Sequence, residues 1–290
     1  MQRMEEKMKN IQDLITLSNG VNIHCMGYGT WRTPAGDETT TAVKNAIECG
    51  FRHIDTAQLY GNEESVGEGI RASQIKRQEI FLTTKLKNSD QGYDATLKAF
   101  EGSLKRLKAE YLDLYLIHWP VPVLFKDNWR EVSRATWKAM ERLYDEKLIR
   151  AIGLSNFLPH HIKNIANFAN VAPVVDQLEI HPCFTQRETV KYCQEHNIQV
   201  QAWSPLGHGT ILQNEVLGTI AASHGKTPAQ IALRWELQQN IIPISKSMKP
   251  SRMKENADVF DFTLSPEEMD RIFALGEDGR TGPNPDHIDF

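Results

Sequence analysis

Three features are absent from the sequence: a Cys-x-x-Cys pair, a GxGxxG or Walker phosphate loop, and an uncharged apolar run long enough to cross a bilayer. Without a phosphate loop, a doubly wound dinucleotide-binding sheet is disfavoured. The four cysteines stand far apart, mostly in apolar stretches, so we expect reduced thiols that pack as small hydrophobic groups. The first ten residues are charged and have no signal-like apolar region, which predicts a cytoplasmic protein.

An excess of charge of one sign is also lacking, because 33 basic residues face 37 acidic ones and the formal net charge is −4. Such a chain has no global field to attract nucleic acid or an anionic membrane, so the expected partners are small molecules. At 290 residues the chain can bury a large core. We therefore expect one domain, residues 1–290, that needs neither a disulfide nor a structural metal.

Short apolar runs alternate with segments of helical period along the chain, which favours parallel βα units. Seven such runs predict strands that end at Ile54, Thr84, Ile117, Leu154, Leu178, Trp203 and Ile244. An eighth strand is predicted at residues 23–26. Among the helices, one opens with Thr227 as N-cap and Pro228 in its first turn. The pattern predicts a (β/α)8 barrel, followed by a Gly- and Pro-rich, non-helical tail on the surface at residues 277–290.

Reactive side chains of such a barrel follow the carboxyl ends of its strands. Four polar residues occupy such positions: Asp55, Tyr60, Lys85 and His118. Each alone has an ordinary structural role, as a turn cap, a packed ring, a snorkelling amine or a satisfied core imidazole. Together at one barrel mouth they would be costly to desolvate, and packing alone does not explain that cost.

The four groups together predict a device that donates a proton. A Lys85 ammonium would lower the pKa of the Tyr60 phenol from its usual value near 10, and Asp55 would hold Lys85 charged and oriented. His118 would orient a substrate carbonyl. No nucleophile accompanies the phenol, so the set indicates carbonyl reduction, with the hydride supplied by a cofactor.

The sequence resembles the aldo-keto reductase superfamily through FRHIDTAQLYGNEESVG, TTKL, LYLIHWP, GLSNF, VVDQLEIHP and AWSPLG, from about Leu14 to the C-terminus. It is similar to bacterial members of the diketogluconate reductase and glyoxal reductase types. The resemblance implies a TIM barrel with an N-terminal β-hairpin and a C-terminal tail. It also implies a monomer whose catalytic tetrad is the four residues named above.

The resemblance further implies an extended nicotinamide cofactor bound at strand ends and in the loops that follow them. The implied contacts are Thr30, Asp55, Ser155, Asn156, Gln177, Trp203, Ser204, Pro205, Leu206, Gly207, Lys246, Ser247, Arg252, Glu255 and Asn256. Ser155, Asn156 and Gln177 would hold the carboxamide. Trp203, where many members have Tyr, would stack on the nicotinamide ring.

The remaining contacts concern the far end of the cofactor. The backbone of residues 204–207 would contact the pyrophosphate, and residues 255–256 would lie near adenine. Lys246, Ser247 and Arg252 would surround a 2′-phosphate, and this pairing of Lys with Arg favours NADPH over NADH.

The substrate wall is predicted from Trp31, Trp119 and Tyr28, beside His118. The segment after HWP and the tail are both short, so the family comparison implies an open pocket. The expected substrates are small aldehydes, α-dicarbonyls or keto sugars.

Two other classes of function are compatible with parts of this pattern. A non-catalytic, cofactor-binding regulatory subunit on the same fold would be marked by a damaged tetrad, whereas all four residues are present. A metal-assisted barrel hydrolase could draw on Asp55, His118, Glu179 and His181. No HxH pair or carboxylate-rich strand end supports that alternative, so no metal is expected.

Overall fold

The computed structural model describes residues 8–276 and 278–290. The first seven residues, which contribute to the localisation prediction, and Glu277, the first residue of the predicted tail, lie outside the described residues. The described chain opens with a β-hairpin in which β1 (Leu14–Thr16) pairs antiparallel with β2 (Asn22–His24). The hairpin that the family resemblance implied is therefore confirmed.

Eight further strands form a closed parallel barrel in chain order, with the first also paired to the last. They are β3 (Gly27–Gly29), β4 (His53–Asp55), β5 (Phe81–Leu86), β6 (Leu112–Ile117), β7 (Ile149–Ser155), β8 (Val175–Glu179), β9 (Gln199–Trp203) and β10 (Ile242–Ser245). The predicted (β/α)8 barrel is confirmed, and seven of its strands lie where the apolar runs placed them.

The predicted position of the eighth strand is wrong. Residues 23–26 belong partly to β2 of the hairpin, and the strand that closes the barrel is β3. A Cβ atom added at Gly27 would lie 2.5 Å from the Ile244 side chain and 2.8 Å from the His53 ring. Only glycine allows this close approach, and a strand built on two glycines has little apolar signal in the sequence.

Ten α-helices are described, mostly on the outside of the barrel. They are α1 (Asp37–Glu48), α2 (Glu63–Ala72), α3 (Tyr93–Leu107), α4 (Trp129–Asp145), α5 (Pro159–Ala166), α6 (Arg187–Glu195), α7 (Glu215–His224), α8 (Pro228–Gln238), α9 (Pro250–Ala257) and α10 (Pro266–Phe273). The Thr227 hydroxyl accepts the Gln230 N–H and caps α8, as predicted. None of the described helices is long and apolar enough to cross a membrane.

The hairpin seals the barrel at the end where the strands begin, which we call the floor. Leu17 and Ile23 of the hairpin pack with Leu114 and Ile244 inside the barrel. A second, larger cluster fills the space between strands and helices. The hairpin closes the floor, so polar residues at the other end of the strands surround the open end of the barrel, which we call the mouth.

The described part of the tail, residues 278–290, contains no helix or strand, as predicted. It does more than lie on the surface, because it crosses the mouth. The Thr281 N–H and the Gly282 N–H bind the carboxylate of Glu179 at the end of β8. The Phe290 ring meets Trp119 edge-on, with 5.7 Å between ring centroids.

Candidate active site

A cavity of about 1050 Å³ opens at the mouth and holds most of the residues singled out in the sequence. Those that line it are Trp31, Asp55, Tyr60, His118, Trp119, Ser155, Asn156, Gln177, Trp203, Ser204, Pro205, Leu206, Lys246, Ser247, Arg252, Glu255 and Asn256. Lys85, Gly207, Tyr28 and Thr30 do not line it. Residues from all along the barrel therefore converge on one chamber.

The four predicted catalytic groups lie together at one end of this cavity. Asp55 ends β4, Tyr60 closes a 3-10 turn (Gln58–Tyr60), Lys85 lies in β5, and His118 directly follows β6. The Lys85 ammonium donates to Asp55 Oδ1 at 2.5 Å and to the Tyr60 hydroxyl at 3.3 Å. The Tyr60 and His118 rings are 5.7 Å apart, edge to face. The phenol thus stands between a buried ion pair and the cavity.

The direction predicted for the pKa of Tyr60 is wrong. Burial raises the pKa of the phenol, and although the Lys85 ammonium lowers it, the net effect is upward. Asp55 accounts for part of this, because its carboxylate raises the pKa of Tyr60 and offsets the charge of Lys85. Tyr60 therefore keeps its proton at neutral pH.

The neighbours of Tyr60 have equally definite charge states. Burial alone would lower the pKa of Lys85, but Asp55 and Tyr60 raise it by a larger amount. The net direction is upward, so the amine stays charged. Burial, together with the Lys85 charge, holds the pKa of His118 well below its usual 6.5. The imidazole is therefore neutral, which lets it donate one hydrogen bond and accept another.

The amide cluster adjoins the tetrad through direct hydrogen bonds. Gln177 donates from Nε2 to Asp55 Oδ2 and to Gln201 Oε1, both at 2.8 Å. Asn156 donates from Nδ2 to the His118 carbonyl at 3.0 Å and to the Ser155 hydroxyl at 3.1 Å. Both N–H groups of each amide are thus used inside the protein, which leaves amide oxygens to accept an N–H from a ligand.

Trp203 and Gln201 complete this part of the wall. The Trp203 indole donates from Nε1 to Asn156 Oδ1 at 2.8 Å, which fixes the ring beside the amide. Gln201 was missed in the sequence, although strand alternation puts it on the same face of β9 as Trp203. Its buried side chain orients Gln177 from below.

The other end of the cavity lies between β10 and α9. Lys246 and Arg252 are exposed there and form no ion pair with a described residue, so both are available to an anion. Ser247 is held in place because its carbonyl accepts the Tyr28 hydroxyl at 2.8 Å and its own hydroxyl accepts the Lys249 N–H. Glu255 accepts a hydrogen bond from Thr227.

Two predicted contacts lie behind the wall. Tyr28 was expected in the substrate wall, which is wrong: it alternates with two inward-facing glycines in β3, points outward and packs edge-on against Phe51. Thr30 was expected at the cofactor, but its buried hydroxyl donates to the Asp55 backbone carbonyl at 3.0 Å. Thr30 therefore lies behind Asp55 and does not line the cavity.

Sequence reasoning missed several groups around the opening. Arg32 stacks over Trp31, 4.3 Å from its ring centroid, and His208 meets the same ring at 5.3 Å. The tail contributes Thr281, Gly282, Pro283 and Phe290 to the cavity wall. The flanking glycines of His208, both with positive φ, were a signal of an exposed turn there.

The conceivable ligands of a metal hydrolase do not form a cluster. Asp55 pairs with Lys85, and the Glu179 carboxylate binds the tail. Among residues 8–276 and 278–290, the one group of three metal-competent side chains is a different set: His160, His161 and Asp286.

The chain matches the sequence profile of the Aldo/keto reductase family over residues 25–277. It is 50% identical to the glyoxal reductase of Bacillus subtilis, over 97% of this chain and 99% of that protein. It is 41% identical to the methylglyoxal reductase DkgA of Escherichia coli K12, over 95% and 98% of the two chains. A crystal structure of a Gox0644 mutant in complex with NADPH superposes with a TM-score of 0.89 at 43% identity, covering 96% of this chain and 99% of that one.

Proposed function

The chain belongs to the aldo/keto reductase family, and from this premise we propose that it is an NADPH-dependent reductase of small carbonyl compounds in which Tyr60 is the proton donor. One observation carries the proposal: the protonated Tyr60 hydroxyl faces the cavity and lies 3.3 Å from the charged Lys85 ammonium. The intact tetrad speaks against a non-catalytic regulatory subunit.

Tyr60 can act as a general acid because it carries its proton at neutral pH and can release it to a carbonyl oxygen on which negative charge develops. As the proton leaves, the phenolate forms beside the Lys85 ammonium, which stabilises it. Asp55 keeps that ammonium charged and oriented. His118, being neutral, donates a hydrogen bond to the same carbonyl oxygen without competing for the proton.

The residues present fit a nicotinamide cofactor, which when bound supplies the hydride. Asn156 and Gln177 line the cavity, and their amide oxygens can accept the carboxamide N–H groups, that of Asn156 in addition to the bond it accepts from Trp203. The Trp203 indole offers a flat surface beside them. At the far end, Lys246 and Arg252, which pair with no carboxylate in the described part of the chain, suit a 2′-phosphate. The similarity to a protein solved with NADPH supports the same cofactor.

The substrate proposal is small α-dicarbonyls and aldehydes. The aromatic side chains of Trp31, Trp119 and Phe290 line the cavity, so it suits compact and weakly polar compounds. Relatives named glyoxal reductase and methylglyoxal reductase support the same class.

The test mixes purified protein with NADPH and a panel that includes methylglyoxal, glyoxal and simple aldehydes, and follows loss of the nicotinamide absorbance. Tyr60→Phe should lower kcat by a factor on the order of 10² to 10⁴, the usual contribution of a positioned general acid. Tyr93→Phe, an exposed tyrosine on α3, is the matched control and should keep full activity. Full activity in Tyr60→Phe would refute the proton donor, and no NADPH oxidation by the wild type would refute the function.

A further inference from the structure

The carboxylate of Glu179 fastens the tail, residues 278–290, across the mouth. Glu179 ends β8 and is 1% exposed, so its charge needs partners. Its Oε1 atom accepts the Thr281 backbone N–H at 2.6 Å as well as the Thr281 hydroxyl, and Oε2 accepts the Gly282 N–H at 3.0 Å. Three donors from one turn of the tail thus converge on a single buried carboxylate.

This carboxylate is charged at neutral pH. Burial alone would raise the pKa of Glu179, but hydrogen bonds from His181, Thr281 and Gly282 lower it, and the net direction is downward. Hydrogen bonds to an ionised acceptor are roughly twice as strong as neutral ones. The tail is therefore held more firmly than a surface turn with neutral contacts.

The turn held by Glu179 lies directly against Trp203. A Cβ atom added at Gly282 would come 2.5 Å from Cη2 of the indole and 3.1 Å from Oε2 of Glu179. No side chain fits between them, so a glycine is required at this contact. On its other side, the indole donates from Nε1 to Asn156. The ring is thus fixed between the tail and the amide cluster.

The tail has a second anchor farther along. Asp286 lies 2.8 Å from His160 Nε2 and 3.0 Å from His161 Nε2. His161 accepts the Leu158 N–H at Nδ1, so its neutral ring carries the proton on Nε2, the atom that faces Asp286. A metal ion would need that nitrogen unprotonated, so we read the trio as an anchor in which His160 hydrogen-bonds Asp286 and His161 packs beside it.

We propose that Glu179 is a positioning residue for cofactor binding: by holding Thr281 and Gly282 it presses the tail against Trp203 and keeps the indole in the plane on which the nicotinamide ring stacks. The inference rests on the proposed function, since it requires NADPH to occupy the cavity. A stacking surface that is ordered in advance avoids the cost of ordering it when the cofactor binds. The tail lies outside residues 25–277, whereas Glu179 and Trp203 lie inside them, so this device joins the tail to the part of the chain that matches the family.

The test is Glu179→Gln, which keeps the shape of the side chain but replaces one carboxylate oxygen by an NH₂ that faces an N–H donor. The NADPH Kd, measured by fluorescence titration, should rise on the order of ten-fold, as expected when charge-assisted bonds are lost. The kcat at saturating NADPH should stay close to that of the wild type. Hydrogen exchange of the tail peptide should become faster, because one of the Thr281 and Gly282 amides loses its acceptor and the other keeps only a neutral one.

Glu268→Gln is the matched control. Glu268 is a carboxylate that accepts the Ser265 N–H at 2.8 Å and pairs with His224, but it lies on α10, away from the cavity. Its variant should leave the NADPH Kd unchanged. Gly282→Ala displaces the same turn from the Trp203 side, so combining it with Glu179→Gln should weaken NADPH less than the sum of the two single effects.

The outcomes separate the inference from the proposed function. Wild-type protein that neither binds NADPH nor reduces a carbonyl contradicts both. If the wild type binds NADPH and Glu179→Gln binds it equally well, the inference is wrong while the proposed function stands. If Glu179→Gln fails to fold, two other variants test the inference: Thr281→Val, which removes one hydroxyl donor, and Gly282→Ala. An unchanged NADPH Kd in both variants would overturn the inference.

Discussion

Two almost completely buried aspartates lie at opposite ends of the barrel: Asp113 at the floor and Asp55 at the mouth. Asp113 accepts the Leu82 N–H and pairs with Arg77 and Arg150, whose side chains reach solvent. Asp55 instead pairs with Lys85, which is itself buried.

The two aspartates differ in the surroundings of the basic side chains that pair with them. The partners of Asp113 end in solvent, so the group only joins strands and loops. The partner of Asp55 leads to the Tyr60 hydroxyl and from there into the cavity. A buried charge whose partner contacts a titratable group in a cavity is a better sign of a reactive site than burial alone.

The largest expected effect falls on the mouth. Lys85→Met should lower kcat by a factor on the order of 10² to 10⁴, because Tyr60 loses the charge that stabilises its phenolate. Lys85→Arg keeps the charge and should recover part of the rate. Steady-state reduction of methylglyoxal measures both. If Lys85→Met and Lys85→Arg show the same modest loss of kcat, the ammonium does not act on Tyr60. The buried ion pair at the mouth would then be as purely structural as the one at the floor.

At the floor, the expected effect is on stability alone. Asp113→Asn should lower the free energy of unfolding by about 2 kcal/mol, since it weakens charge-assisted bonds to two partly exposed arginines and a backbone N–H. Urea unfolding measures the loss, with the exposed Asp145→Asn as control. A fall in kcat of the folded Asp113→Asn protein would show that the floor takes part in the chemistry after all.

Acid should act on the floor through His53. Burial, the neighbouring His24 and the Lys85 charge lower the pKa of His53 to about 3. As pH falls below 6.5, His53 therefore takes up a proton in the unfolded chain but not in the folded one. The free energy of unfolding consequently falls by about 2 kcal/mol between pH 7 and pH 5. His53→Gln should show a flatter dependence of the unfolding free energy on pH. Equal slopes for the two proteins would contradict the assignment.

The smallest expected effect is at the far end of the mouth. Arg252→Ala should raise the NADPH Kd about ten-fold and leave the NADH Kd nearly unchanged, because an exposed guanidinium contributes one charged contact to the 2′-phosphate. Arg134→Ala, on α4 and outside the cavity, serves as control. Equal weakening of both cofactors would remove the 2′-phosphate from this end of the cavity.

Much of the site could be predicted because strand periodicity is local. Alternation places Asp55, Lys85 and Gln177 on inward faces near strand ends, and a parallel barrel brings those ends to one mouth. The strand Gly27–Gly29 escaped because two glycines carry no apolar signal. For the same reason its outward-facing tyrosine was mistaken for part of the substrate wall.

Contacts between distant parts of the chain could not be predicted in this way. Glu179 and Thr281 are 102 residues apart, and nothing in the local pattern of either one indicates the other. The raised pKa of Tyr60 could not be predicted for a related reason. Its direction depends on the balance between burial and two opposite charges, and that balance is a matter of distances.

The sequence by itself determined the order of strands and helices, the closed barrel that this order requires, and the identity of the four groups at its mouth. These follow from periodicity and side-chain chemistry, which are local properties. The tertiary structure alone decided which groups are charged, which strand closes the barrel and where the tail lies. Those depend on desolvation and on close contacts between distant segments, and both exist only once the chain has folded.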